Sequence, residues 1–233
     1  MKINLLLILF LCILFSSYAQ SEVKHRHYFP IWTYHQDNIT VNGLSLGLYT
    51  YDFHTRNTNT NGIKLELIGM GWAVMFIYPP VRSNTYPPDM HGYDAINFSE
   101  RVNGFYISGT GNICDCLING ISLGTIGQKN SKINGLSASV LFNYSEAHNG
   151  IQLSGMSNST SVMRGIQMTI LQNEINEGAG LQLAIINHAN TKFTGIQIGL
   201  FNRSQNFRGI QIGLWNVNQD RSMPFINWNF KKK

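Results

Sequence analysis

Few residues in this chain have the type and spacing to do chemistry. Cys114 and Cys116 stand two apart in the run CDC. On a strand both would point to one face, roughly 6.5–7 Å apart, at the edge of what a disulfide tolerates. The expectation is two small residues stacked on one face; a strained bridge or a metal thiolate pair is the sharper alternative. His25 and His27 alternate in KHRHYFP, and His35 and His54 follow. A His-x-His pair holds zinc or copper when another ligand joins it, but histidines near a chain end are more often solvated. Trp72, Tyr78, Tyr86 and Tyr93 punctuate a stretch that also carries Pro79–Pro80 and Pro87–Pro88. Such a stretch is a candidate interaction surface, or a loop that covers an edge of the fold.

Catalytic groupings are missing from the pattern. The sequence has no G-x-S-x-G elbow, no HExxH, no phosphate-binding glycine loop and no dinucleotide fingerprint. Glu174 and Glu177 suggest no partner acid. The expectation is a protein that is not an enzyme, with no catalytic, cofactor or metal residues to assign.

Amides dominate instead, and they are periodic. Gln152, Gln167, Gln182, Gln197 and Gln211 recur every 14 or 15 residues, and so do Asn143, Asn158, Asn173, Asn187, Asn202 and Asn216. Glycines before an apolar-polar-apolar triplet share the period: Gly135, Gly150, Gly165, Gly180, Gly195 and Gly209. Gly43, Gly62, Gly104 and Gly120 are earlier, less regular members. If successive units stack in parallel, equivalent amides lie about 4.8 Å apart and bond as ladders. The Asn column falls where a strand ends, at a turn that favours the left-handed conformation.

The element that positions such columns is a strand. Ile196, Ile198 and Leu200 alternate with Gln197 and Gly199, which is the period of a half-buried strand. The apolar set is expected to form the core stripe, with Gln197 on the opposite face, so that Ile198→Asp would destabilise far more than Gln197→Ala. A late apolar position, Ile133, Ala147, Val162, Ile175, Phe193 and Phe207, suggests a second wall. The fold class is all-β, a repeat β-solenoid of 14–15-residue coils. The alternative is an antiparallel β-barrel of about 12 strands, which leaves the ladders without a purpose.

Residues 1–19 read as a secretory signal peptide. An apolar run follows Lys2, and Ser17 and Ala19 precede the expected cut. Residues 20–41 form an N-terminal segment. Residues 42–230 form one β-repeat domain with an irregular insertion at 72–101, and 231–233 are a basic tail. Charged residues are only 12% of the chain, about half the usual share. Net charge is +5, and three of the lysines are Lys231, Lys232 and Lys233. No basic stripe with interleaved aromatics exists, so nucleic acid is not an expected partner. No later segment has the apolar length of a transmembrane helix.

Three stretches carry a resemblance: NTNTNGIKLELIGMG (57–71), NGISLGTIGQKNSKINGLSAS (119–139) and TGIQIGLFNRSQNFRGIQIGLWNVNQDRSMPFINWNF (194–230). They resemble the surface-repeat-containing proteins of Bacteroidetes and spirochaetes. The resemblance implies an exported protein at the cell surface or outer membrane of a Gram-negative bacterium, with the periplasm as a further location. It brings no catalytic assignment. The expected function is therefore a structural or interaction role at the cell envelope. An outer-membrane barrel acting as a minor pore and a glycan-binding or glycan-processing solenoid are the alternatives. Envelope components or glycans are the expected class of partner, and the glycan reading uses outward Gln and Ser columns.

Overall fold

The computed structural model describes residues 24–50, 55–76, 90, 92–95 and 97–230. The chain folds as a parallel β-solenoid of about 11 turns. Strands β3 (Ile39–Gly47), β4 (Thr58–Glu66), β5 (Glu100–Ser108), β6 (Ile113–Gly124), β7 (Gly127–Ser139), β8 (Phe142–Leu153), β9 (Ser157–Met168), β10 (Gln172–Leu183), β11 (Ile186–Ile198) and β12 (Phe201–Val217) follow in chain order. Each pairs in parallel with the next. Parallel pairing between consecutive strands excludes the antiparallel barrel, in which neighbours reverse direction.

Two short strands, β1 (Arg26–Tyr28) and β2 (Ile31–Thr33), pair in parallel with β3. The N-terminal segment is therefore part of the solenoid and covers its first edge. At the other end β13 (Ser222–Asn229) turns back and pairs antiparallel with β12. An antiparallel last strand ends the parallel stack with a different ladder geometry, which blunts the exposed edge.

Glycine shapes each coil. Gly150 has φ +137°, and a Cβ placed there would meet the carbonyl oxygen of Gly135 at 2.0 Å. The same holds up and down the column, from Gly62 on Gly43 to Gly209 on Gly195. Only glycine accepts this backbone region, and only a missing side chain lets successive coils stack at the bend. The irregular spacing of the early glycines is absorbed by the chain between strands, since Gly43, Gly62, Gly104 and Gly120 stay in strict register.

The faces are the reverse of the hydrophobic-in expectation. Gln152, Gln167, Gln182, Gln197 and Gln211 are all fully buried, while Ile196 is 41% and Leu200 44% exposed. Asn158 Nδ2 donates to the carbonyl of Met168 (2.8 Å), Asn173 Nδ2 to Leu183 (3.0 Å) and Asn187 Nδ2 to Ile198 (2.8 Å). These strand-end carbonyls also accept from the backbone N–H groups of Ser154, Thr169 and Ala184, so the amides add a second bond to each, and the polar wall can be buried because its amides are bonded to the backbone and to one another. The Asn column lies inside the strands; among the described residues the non-glycine residues with positive φ are Asn38, Asn57 and Phe225.

The apolar core occupies the remaining wall. Ile133, Phe193 and Phe207 share one register column with His148 and Met163, and all are buried. Ile175, Met163, Ala189, Phe193 and Phe207 form one cluster. Ala147 and Val162 sit one residue earlier and meet Met90 and Tyr93 of the insertion. The insertion thus packs on the side of β8 and β9 and leaves the first coil to β1 and β2.

Candidate interaction surface

The interior columns are structural. Gln167 Nε2 donates to Gln152 Oε1 (2.8 Å), Gln182 to Gln167 (2.9 Å), Gln197 to Gln182 (2.7 Å) and Gln211 to Gln197 (2.8 Å). Asn227 of β13 ends this column by donating to Gln211 Oε1 at 3.2 Å. A second ladder runs Asn158, Asn173, Asn187, Asn202 and Asn216 at 2.7–3.0 Å. Every one of these amides is 0–1% exposed, so none can meet a ligand. The Gln and Ser columns that the glycan reading placed outward face inward instead, Ser122 and Ser137 included.

Toward the N-terminal end the Gln column is replaced by charge. Ser45, Lys64, Tyr106, Ser122, Ser137 and Gln152 occupy successive rungs of one column. Lys64 Nζ, with no exposed side-chain surface, donates to Glu100 Oε2 at 2.7 Å and to Thr50 Oγ1 at 2.8 Å. It lies 4.2 Å from the ring centroids of both Tyr34 and Tyr106. Arg56 Nη2 meets the same Glu100 oxygen at 2.8 Å, and the Tyr106 hydroxyl donates to Glu66 Oε2 at 3.2 Å. Burial pulls the Lys64 ammonium below its ordinary range, opposed by Glu100 and Glu66. Burial pushes the phenols of Tyr34 and Tyr106 well up, with the two carboxylates adding to the effect. Perturbed groups often mark an active site, but these have no solvent path. They form a sealed pairing network in which two cations and two carboxylates compensate one another. Periodicity alone missed this cluster. Its signal was Lys64 in NGIKLEL at the place where later units carry Gln.

The other singled-out residues divide. Cys114 and Cys116 form a disulfide, correcting the expectation of two stacked small side chains. The register shift between Cys114 and Leu117 bends the strand and brings the two Cα atoms to 5.2 Å, inside the disulfide range. Trp72 is 44% exposed on the 3-10 turn Gly71–Phe76. Tyr93 is fully buried, so it leaves the proposed surface and becomes packing between the insertion and β8–β9. Tyr78, Tyr86 and His54 lie outside the described residues. The His25 ring bonds the Thr40 hydroxyl (2.8 Å) and stands edge-on to His27. Among the described residues no three His, Cys, Asp or Glu side chains converge as a metal site.

What the solenoid presents to its surroundings is apolar. The residue after each column glycine points outward: Ile31, Leu44, Ile63, Phe105, Ile121, Leu136, Ile151, Ile166, Leu181, Ile196, Ile210 and Trp228 in register. Two residues on, the column reads Thr33, Leu46, Leu65, Ile107, Leu123, Ala138, Leu153, Met168, Leu183, Ile198, Ile212 and Ile226, drawn from the same pairings. Only Thr33 is polar. The adjoining turns add exposed Val140, Met156, Ile170, Ile185 and Leu200, and β12 adds Leu214 at the equivalent place. On the other side of the glycine bend, Asn61, Asn103, Asn119 and Asn134 form a further, solvent-facing ladder, each donating to the preceding Asn at 2.8 Å. Each member of this exposed amide row directly precedes a column glycine.

Comparison of the chain with protein-family models, with curated proteins and with solved structures gives no match. The assignment of a role therefore rests on the surface itself. Among the described residues no helix is long and apolar enough to cross a membrane.

Proposed function

We propose that the chain is a non-enzymatic, exported repeat protein with a structural or interaction role at a bacterial cell envelope. The observation that carries this reading is the outward double column, aliphatic or aromatic at every rung but Thr33, on an internally bonded rod. Monomeric soluble proteins rarely expose contiguous apolar patches beyond a few hundred Å². Twelve coil positions at about 4.8 Å make this strip about 50 Å long, and with the turns about four residues wide, on the order of 700 Å². A strip of that extent serves a partner. Support for export comes from the apolar leader with Ser17 and Ala19, and from the repeat motifs resembling surface-repeat-containing proteins. The disulfide Cys114–Cys116 fits an oxidising compartment.

Fractionation of cells producing a C-terminally tagged chain tests the reading. The expected result is recovery in the envelope fraction, with the processed N-terminus at Gln20. Recovery as unprocessed protein in the cytosol would overturn it.

A further inference from the structure

We infer that the outward apolar strip docks flat on an anionic phospholipid surface, with the solenoid axis in the plane of the membrane. The inference deepens the envelope role proposed above and rests on it. The first support is charge. The strip contains no charged residue, and one of its long rims, the column just before each glycine, is polar or cationic at every position but Ala179. Arg164 and Arg208 are exposed there, two residues before Ile166 and Ile210, and no acidic residue occupies that column. The second support is a run of three lysines in the sequence. Lys231, Lys232 and Lys233 directly follow Phe230, at the end of the strand that carries Ile226 and Trp228 into the strip. An apolar surface flanked by cations and continued by a lysine cluster is the pairing that holds peripheral proteins on anionic headgroups.

The third support is the relief of the strip, which is aliphatic over most of its length, with Ile151, Ile170 and Ile196 exposed. The strip is also uneven, with Ala138 in the same column as Met168. Fluid lipid tails fill such steps. A second copy of the chain would have to match them residue by residue.

Vesicle flotation tests the proposal. The purified chain lacking leader residues 1–19 is mixed with vesicles of phosphatidylcholine and phosphatidylglycerol in equal parts, or of phosphatidylcholine alone. Flotation with the anionic vesicles, weakened by added salt, is expected. Ile151→Glu combined with Ile196→Glu should lower vesicle binding at least about tenfold while circular dichroism stays native, since both sites face outward. Thr191→Glu combined with Gln205→Glu, exposed at a corner away from the strip, adds the same charge and should leave binding near that of the parent. Replacing the three terminal lysines by Gln should weaken binding to anionic vesicles by about tenfold or more. No flotation, or flotation unchanged by the Ile151/Ile196 pair, overturns the docking. So does a dimer that the same pair dissociates in a chain that ignores vesicles, because the occupant is then a second copy. Envelope fractionation with no lipid binding removes this inference alone; cytosolic recovery removes the envelope reading.

Discussion

Ile196 and Gln197 are neighbours on one strand, and the fold assigns them opposite fates. Gln197 is fully buried, donates to Gln182 Oε1 at 2.7 Å and accepts from Gln211 Nε2 at 2.8 Å. Gln197→Ala strips Gln182 Oε1 of its rung donor, whereas Gln211 Nε2 keeps the Val217 carbonyl at 3.1 Å. One orphaned buried acceptor costs about 1–3 kcal/mol. The space left by the amide adds about 1 kcal/mol at about 24 cal/mol per Å³. The expected loss is about 3 kcal/mol. Ile196 is 41% exposed, so Ile196→Asp places a hydrated charge on an outer surface. It forfeits partial burial and strand preference, about 1 kcal/mol. For a chain of this length 1 kcal/mol shifts Tm by about 2–4 °C. Thermal unfolding followed by far-UV circular dichroism should then show Gln197→Ala melting several degrees below Ile196→Asp. The opposite order would refute the assignment of Gln to the interior.

Gly150→Ala should abolish folding or yield aggregate, because φ +137° and a 2.0 Å approach to the Gly135 carbonyl leave no place for a methyl group; soluble expression with native circular dichroism would contradict this. Burial pushes the His148 imidazole down to about 4. The fold holds the neutral ring, so its stability is fully present above the unfolded value near 6.5 and is lost as pH falls toward about 4, at about 1.4 kcal/mol per unit. His148→Met, matching Met163 in the next coil, should remove that part of the pH dependence, read as the difference between the two stability–pH curves. Lys64→Met leaves the buried Glu100 carboxylate with Arg56 and should cost about 3–5 kcal/mol in denaturant unfolding. Lys64→Gln, which places the residue type of later rungs at that position and keeps a donor beside Glu100, should cost less than Lys64→Met in the same assay.

The solenoid was legible because its signals are repeated. A strict spacing of Gly, Gln and Asn has one economical meaning, stacking in parallel register, and residues 135–216 carry it without interruption. Which face points inward was not legible. Ile-Gln-Ile has the same alternation whichever side is buried, and the default that apolar residues go inside fails here. The buried amides are bonded to one another along the stack and to strand-end carbonyls, and alternation along one strand does not display those bonds. Cys114–Cys116 was misjudged for a related reason, since a flat strand spaces the pair too far and the local register shift closes the gap. The Lys64–Glu100–Arg56 network joins residues 36 and 44 positions apart, separations that periodicity does not resolve. Tyr93 looked like surface because its neighbours are prolines, and only the packing on Ala147 and Val162 shows otherwise.

Cysteine labelling tests the central claim most directly. Ile196→Cys and Gln197→Cys are prepared one at a time and exposed to a water-soluble maleimide under native conditions, the native cysteines being joined to each other. The account predicts rapid modification at 196 and protection at 197 until denaturant is added. Rapid modification at 197 with protection at 196 would contradict it.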